Sequence, residues 1–451
     1  MSTRQRYLIL RAGLLLMLFS GACSHDVDKE FWIKTFVGET TKNYINACET
    51  TGDGGCICSG ATYSAEAKAY SVLIIKINSD GTVAWHKNYS GDGGGIATSI
   101  IKSSAGGHYI VAGALFDAND PFRQKNLVLN INEHGSILSQ KTYTLGKYGS
   151  VPECLYRTRD GGLIVSGYTN DSMSQQAIFM LKIDRNGVPV WQKQYSHLEI
   201  ASVRSVFQTS DDGFLVAGNC GWRSKAGTGV VLKLDANGDI QWQKLTRLGA
   251  AAAPLGADGY IVAASTSDFY GPSSTLVFSL DLNGNVTWAY TLEGLETGFQ
   301  KILQTTDSGY VIAGQVNSDT IGNVDIWFVK LSKSGMFEWQ KNISGTKRLV
   351  PRTIFQTPGG SYIVAGNSES EEEESSDALM VKLDRDGTIP GCTLVSQSTI
   401  ISQETSISIE DANMSVQNLS ASVTESLLQR VDVDVKETTL CSAEKNELDL
   451  K

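Results

Sequence analysis

Three charged residues recur at one position of a periodic sequence. Glu153, Arg204 and Arg352 each stand seven residues ahead of the Asp, or its replacement, in a short glycine-rich motif. Asn46, Thr98 and Gln300 hold the same position in other copies. Nearby positions are apolar, so this column is polar against its surroundings. Carboxylate, guanidinium and amide groups brought to one level around an axis can hold a polar ligand through charge-assisted hydrogen bonds. The hydrated lining of a central channel accounts for the same polarity. An enzyme would need carboxylates or histidines converging at one mouth, and the column has one acid, Glu153. Trp222, in a variable stretch, offers a face that could stack on a sugar or fill a packing gap.

Other chemistries lack their residues. The repeated Asp-x-Asn-Gly segments suggest calcium, but an EF-hand-like loop needs further spaced ligands and a Glu at its twelfth position. Hairpin turns explain the same residues. The run Glu371–Glu374 reads as a solvated loop. Gly91-Asp92-Gly93-Gly94-Gly95 lacks the Lys-Ser/Thr of a phosphate loop. The five histidines (25, 86, 108, 134 and 197) are scattered without HExxH, and no GxSxG is present. Neither metal nor cofactor is expected on these grounds.

The column belongs to a unit repeated seven times. The motif appears as GDGGCICSG, AGGHYIVAG, RDGGLIVSG, DDGFLVAG, ADGYIVAA, DSGYVIAG and GGSYIVAG, closing at 60, 113, 167, 218, 264, 314 and 366. The intervals are 53, 54, 51, 46, 50 and 52 residues. A second segment follows each copy, as in KIDRNGVPVW and KLDANGDIQW, and ends on Trp85, Trp191, Trp242, Trp288 and Trp339. Ser139 and Gly391 replace it in the second and seventh units. Short β-branched and aromatic runs between Gly and Asn/Asp turns predict four strands, A to D, per unit. Seven such units predict an all-β, seven-bladed β-propeller of four-stranded blades over residues 31–392. Each Trp is expected to pack on the neighbouring blade, because one blade cannot bury both its faces alone.

Unit seven lacks its Trp strand, whereas EFWIKTF (30–36) is a Trp strand without a unit. Trp32 therefore fills the vacancy, and the N-terminal strand closes the ring in the last blade. This closure resembles that of WD-repeat propellers, although no WD or GH signature occurs. The LDxNGxxxW segment resembles the tryptophan repeat of PQQ-type propellers. The whole unit is most similar to exported bacterial and archaeal repeat proteins. The resemblance implies a fold and leaves function open.

At the N-terminus, Arg4, Arg6 and Arg11 precede an apolar run from Gly13 to Phe19 and then Ser-Gly-Ala-Cys. That pattern predicts a signal peptide over 1–22. The small residues before Cys23 resemble a lipobox, with Ser20 in place of the usual Leu, so Cys23 is the expected lipidation site and 23–30 a tether. Of the other seven cysteines, Cys48 could face Cys56 or Cys58 across a hairpin. Cys392 and Cys441 bracket the tail and could pin it. The tail, 393–451, is Ser/Thr-rich with alternating apolar residues that suggest added strands. Its last ten residues read as disordered. The net charge of −10 argues against a nucleic-acid partner.

Strand direction places A–B and C–D turns on one face and the variable B–C loops on the other. Variable loops on a fixed scaffold are where binding sits. Strand D starts on the turn face, so a lipid on Cys23 would lie under that face, within about 25 Å of chain. The expected protein is a monomeric, lipid-anchored or secreted binding or scaffold protein of the cell envelope, facing a protein or glycan. The alternative is a propeller enzyme acting on carbohydrate or using a quinone cofactor in its channel.

Overall fold

Runs of Val, Ile, Leu and aromatic residues, cut by short turns, fold into seven antiparallel sheets arranged as a propeller. The computed structural model describes residues 30–442, apart from short stretches that are chiefly links between strands. In blade 4 the strands are A (Ile200–Gln208), B (Phe214–Trp222), C (Lys225–Leu234) and D (Ile240–Thr246), with A innermost. Five residues separate A from B in every blade.

That A–B turn is fastened by a repeated ion pair. Asp211 accepts from the Thr209 hydroxyl (2.5 Å) and the Gly213 N–H (3.2 Å). Lys233, nearly buried in strand C, pairs with Asp211 at 2.7 Å. The same pairing joins Lys76 to Asp53, Lys182 to Asp160 and Lys330 to Asp307. The bond to Lys182, with those from Thr158 and the Gly162 N–H, pulls Asp160 down to about 2. Units 2 and 5 have Ala105 and Ala257 where the Asp stands, and Asn130 and Ser279 where the Lys stands. In these two blades both charges are absent, so neither leaves a buried lysine without its carboxylate. Blade 7 has Gly359 in place of the Asp, and its Lys382 donates instead to the Ser79 carbonyl of blade 1 at 3.1 Å.

Blades join through an indole on a glycine. Trp191 of blade 3 lies against Gly238, in the C–D turn of blade 4, and donates its N–H to the Ala236 carbonyl at 3.2 Å. Gly238 has φ 78°, and a Cβ there would also press on the indole, so two constraints demand glycine. Trp85, Trp242, Trp288 and Trp339 meet Gly135, Gly284, Gly335 and Gly387 in the same way. In blade 2, where Ser139 replaces the Trp, Lys141 and Tyr143 cover Gly187.

The seventh contact closes the ring. Trp32–Val37 pairs with strand C of blade 7, Trp32 opposite Lys382 and Phe36 opposite Ala378. Trp32 lies on Gly81 of blade 1, and Ile33 and Phe36 are buried on opposite sides of the strand, in different core clusters. The N-terminal strand is thus the fourth strand of the last blade, as its lone Trp predicted.

The tail is no separate appendage. It runs around the rim against the order of the blades and adds one outer strand to each. Val395–Gln397 pairs with strand D of blade 6, Ile401–Glu404 with blade 5, and Glu410–Asp411 with blade 4. Ser415–Asn418, Ala421–Glu425 and Gln429–Val431 follow on blades 3, 2 and 1. Lys436–Ser442 ends the circuit on the N-terminal strand of blade 7. There Glu437 pairs with Lys34 at 3.2 Å and accepts the Val83 N–H of blade 1 at 2.8 Å. Cys441 bonds to Cys392, where the tail departs. The belt is therefore a covalently closed hoop around the ring. Residues 443–451 and residues 1–29, where the signal peptide and most of the tether are expected, lie outside the described residues.

The other disulfide takes Cys58, one of the two partners open to Cys48, and leaves the candidate Cys56 out. Hairpin register sets Cys48 opposite Cys58, and these two bond. Cys56 falls opposite Thr50 and is a free thiol, pushed up to about 12 by burial. Cys154 is also free and buried.

Opening the hoop should loosen the whole rim. Cys441→Ser releases a loop of 49 residues, worth about 4 kcal/mol in the chain-entropy account. The thermal midpoint should fall, and amide exchange should rise in all seven belt strands together. Exchange confined to 436–442 would show that the hoop does not act as a unit.

Candidate functional site

A propeller blade points its side chains sideways, at its neighbours. Its inner strand therefore presents mainly a backbone edge to the central channel. Where that strand is locally irregular, a side chain can turn into the channel. The structure has such an irregularity at six places: pairing shifts between Ile45 and Ala47, Ala97 and Ser99, Pro152 and Cys154, Val203 and Ser205, Phe299 and Lys301, and Pro351 and Thr353. The extra residue in each β-bulge is Asn46, Thr98, Glu153, Arg204, Gln300 or Arg352. The polar column of the sequence is the set of bulge residues, and all six line one cavity of about 680 Å³ bounded by all seven blades.

A glycine permits each bulge. The last residue of the DGG motif faces it across strand B. A Cβ on Gly218 would overlap the Ser202 carbonyl oxygen, and one on Gly167 the Val151 carbonyl oxygen. Gly60, Gly113, Gly314 and Gly366 meet the equivalent carbonyls of Tyr44, Ile96, Gly298 and Val350. Blade 5 has Ala264 there, and its strand A, Ala250–Pro254, pairs with strand B without a shift. Blade 5 accordingly sends no bulge residue into the channel. Its wall is Ala252, Ala253 and Pro254.

Four of the bulge side chains bond across blades, whereas Thr98 donates to the Ala112 carbonyl of its own blade at 3.3 Å. Glu153 accepts the Val203 N–H at 2.5 Å, and Asn46 donates to the Ala97 carbonyl at 2.7 Å. Each satisfies an inner-edge group of the next blade. Arg204 passes the short wall of blade 5 and donates from Nη1 to Gln300 Oε1 of blade 6 at 2.8 Å. Its guanidinium lies 5.4 Å from the centre of the Phe299 ring. Arg352 extends into the open lumen. Burial lifts Glu153 to about 7, against the pull of the Val203 N–H and of Arg204. Burial also lowers Arg204, Arg352 acting in the same direction.

Among the described residues the cavity holds one cation outside the polar column. Lys301 follows the bulge of blade 6, lines the cavity and donates to the Arg204 carbonyl at 3.2 Å. Its counterparts in the other bulged blades are Ala47, Ser99, Cys154, Ser205 and Thr353, all small. A lysine in a column of small residues was the available signal. Trp222 ends strand B of blade 4, and its side chain lies outside the described residues, as do Glu371–Glu374. Asp235, of an Asp-x-Asn-Gly turn, accepts the N–H groups of Asn237 and Asp239 at 2.9 and 2.8 Å and is spent on the turn. Among the described residues no three His, Cys, Asp or Glu side chains group to hold a metal.

No family model and no curated protein matches the chain. Similar solved structures include the β-propeller domain of the Trilobed protease from Pyrococcus furiosus, at 9% identity and TM-score 0.46, covering 77% of this chain and 96% of that one. Hydrazine synthase of Kuenenia stuttgartiensis matches at 12% and 0.41, over 71% of this chain and 95% of that chain. An acylaminoacyl peptidase of Pyrococcus horikoshii matches at 11% and 0.44, over 80% of this chain and 53% of its own. The likeness is one of fold alone.

Two outcomes follow. Gly218→Ala should cost about 2 kcal/mol or more by driving a methyl group into the Ser202 carbonyl. Deleting Arg204 in the same chain removes the extra residue, makes blade 4 like blade 5, and should restore much of the loss in thermal denaturation. The second concerns pH. Between the ordinary glutamate range and pH 7 the unfolded chain has released the Glu153 proton while the folded chain keeps it. Stability should therefore fall as pH rises through that window and level off above it. At 1.36 kcal/mol per pKa unit the drop is up to roughly 3 kcal/mol. Glu153→Gln should abolish it, which denaturant titrations at pH 5 and pH 8 would reveal.

Proposed function

We propose that this protein is a non-catalytic binding or scaffold propeller of the cell envelope, tethered by a lipid on Cys23 and offering its B–C loop face to a protein or glycan. The observation that carries this reading is the contrast between the two faces. On one face every A–B turn has five residues, and most of its acids are bound to lysines of strand C. On the other, the B–C links run from two residues to nine and share no sequence. Turns that repeat serve the fold, whereas links that differ in every blade are free to serve a partner. The N-terminal strand starts at the turn face, so a tether entering there leaves the loop face outward. Among the described residues lining the channel Glu153 is the one carboxylate, which supports binding over hydrolysis.

The test uses the full chain in cells and the purified mature protein. Cys23→Ser should move the protein from the membrane to the soluble fraction. Replacing residues 116–124 and 266–274 with two-residue turns should leave the thermal midpoint within a few degrees while abolishing binding on an array of envelope glycans or cross-linking to an envelope protein. Turnover of a carbohydrate, or quinone-dependent oxidation by the purified chain, would overturn the reading, as would undiminished binding by both loop variants.

A further inference from the structure

We propose that the central channel is a binding site for a compact oxyanion, a carboxylate or phosphate group, gripped between Arg204 and Arg352. The site is separate from the loop face and stands or falls on its own.

The first ground is charge. The chain carries a net charge of −10. Yet among the described residues the charged side chains lining the channel are Arg204, Lys301 and Arg352 against Glu153 alone. Three cations around one narrow lumen in an acidic protein repel one another unless an anion joins them. Glu153 answers this only in part, because its carboxylate is held by the Val203 N–H of the wall.

The second ground is positioning. Arg204 is fixed before any ligand arrives. Gln300 holds Nη1, the Phe299 ring backs the guanidinium, and Lys301 holds the Arg204 carbonyl. Its Nε is buried without a hydrogen-bond partner. A buried guanidinium nitrogen left unmatched is unfavourable, and two oxygens of a carboxylate or phosphate are what the guanidinium fork fits. Arg352 reaches into the lumen with no ion pair among the described residues. The two arginines thus supply one rigid and one adaptable donor.

The third ground is space. Blade 5 contributes no bulge side chain, so its wall is set back to Ala252, Ala253 and Pro254. The gap lies beside Arg204, which spans it to reach Gln300. The cavity of about 680 Å³ admits a ligand of metabolite size and leaves its neutral portion against this apolar wall.

Isothermal titration calorimetry of the mature chain at low ionic strength, with inorganic phosphate in one arm and succinate in the other, tests the assignment. One-to-one binding in either arm supports it, and the stronger arm identifies the group. Arg352→Gln, which extends into open lumen and leaves the wall intact, should weaken binding roughly tenfold or more, as should Arg204→Gln. Unchanged circular dichroism and thermal midpoint would show that Arg352→Gln still folds. Raising the salt concentration should weaken binding, whereas Trp222→Ala should not. Absence of binding in both arms would overturn the proposal, as would affinity unaffected by Arg352→Gln.

Discussion

A blade of this propeller has no cover for its faces except its neighbours. Every other feature depends on meeting that need seven times around a circle, with no first or last blade. The indole-on-glycine contact is the local means. Strand D of one blade sends an aromatic ring onto a turn of the next that only glycine can form, so the sheets lock at a fixed angle. Blade 2 shows what the contact requires. With Ser139 in place of the Trp, Lys141 and Tyr143 take over the same glycine. Coverage matters more than the identity of the covering residue.

The inner end of each blade obeys a stricter rule. The strand nearest the axis can turn a side chain into the channel by taking in one residue too many, and it does so only opposite a glycine. One missing methyl group on strand B thus decides whether a blade contributes chemistry to the channel. Six blades accept the extra residue, and blade 5, with Ala264, does not. The result is a lumen without sevenfold symmetry, cationic from blade 4 to blade 7 and interrupted there by the apolar wall of blade 5.

Much of this was legible in the sequence, because turns and tryptophans are local signals. The Gly and Asp of tight turns, the recurring Trp and the vacancy in unit seven led directly to the ring and its closure. The polar column was legible too, as a register of unlike residues at one position. Its cause was not, since a bulge residue looks like any other residue in a strand until pairing is known. Two clues were present: the unit ending at Ala264 is the shortest, and it alone ends on Ala rather than Gly. Pairing also decided the disulfide, because Cys56 and Cys58 share a face and only register separates them. The belt was least legible. Its strands are two to seven residues long and take their hydrogen bonds from the blades, so their own pattern is weak.

The belt changes what kind of persistence the molecule has. A strand at a sheet edge is ordinarily lost from its free end, one hydrogen bond at a time. Between Cys392 and Cys441 the hoop has no free end, and it touches every blade. A blade that loosens for a moment remains strapped to the other six, and a chain cut in a surface loop keeps both pieces in place. Durability then rests on the rate of a concerted release, a kinetic barrier, more than on the depth of the folded well.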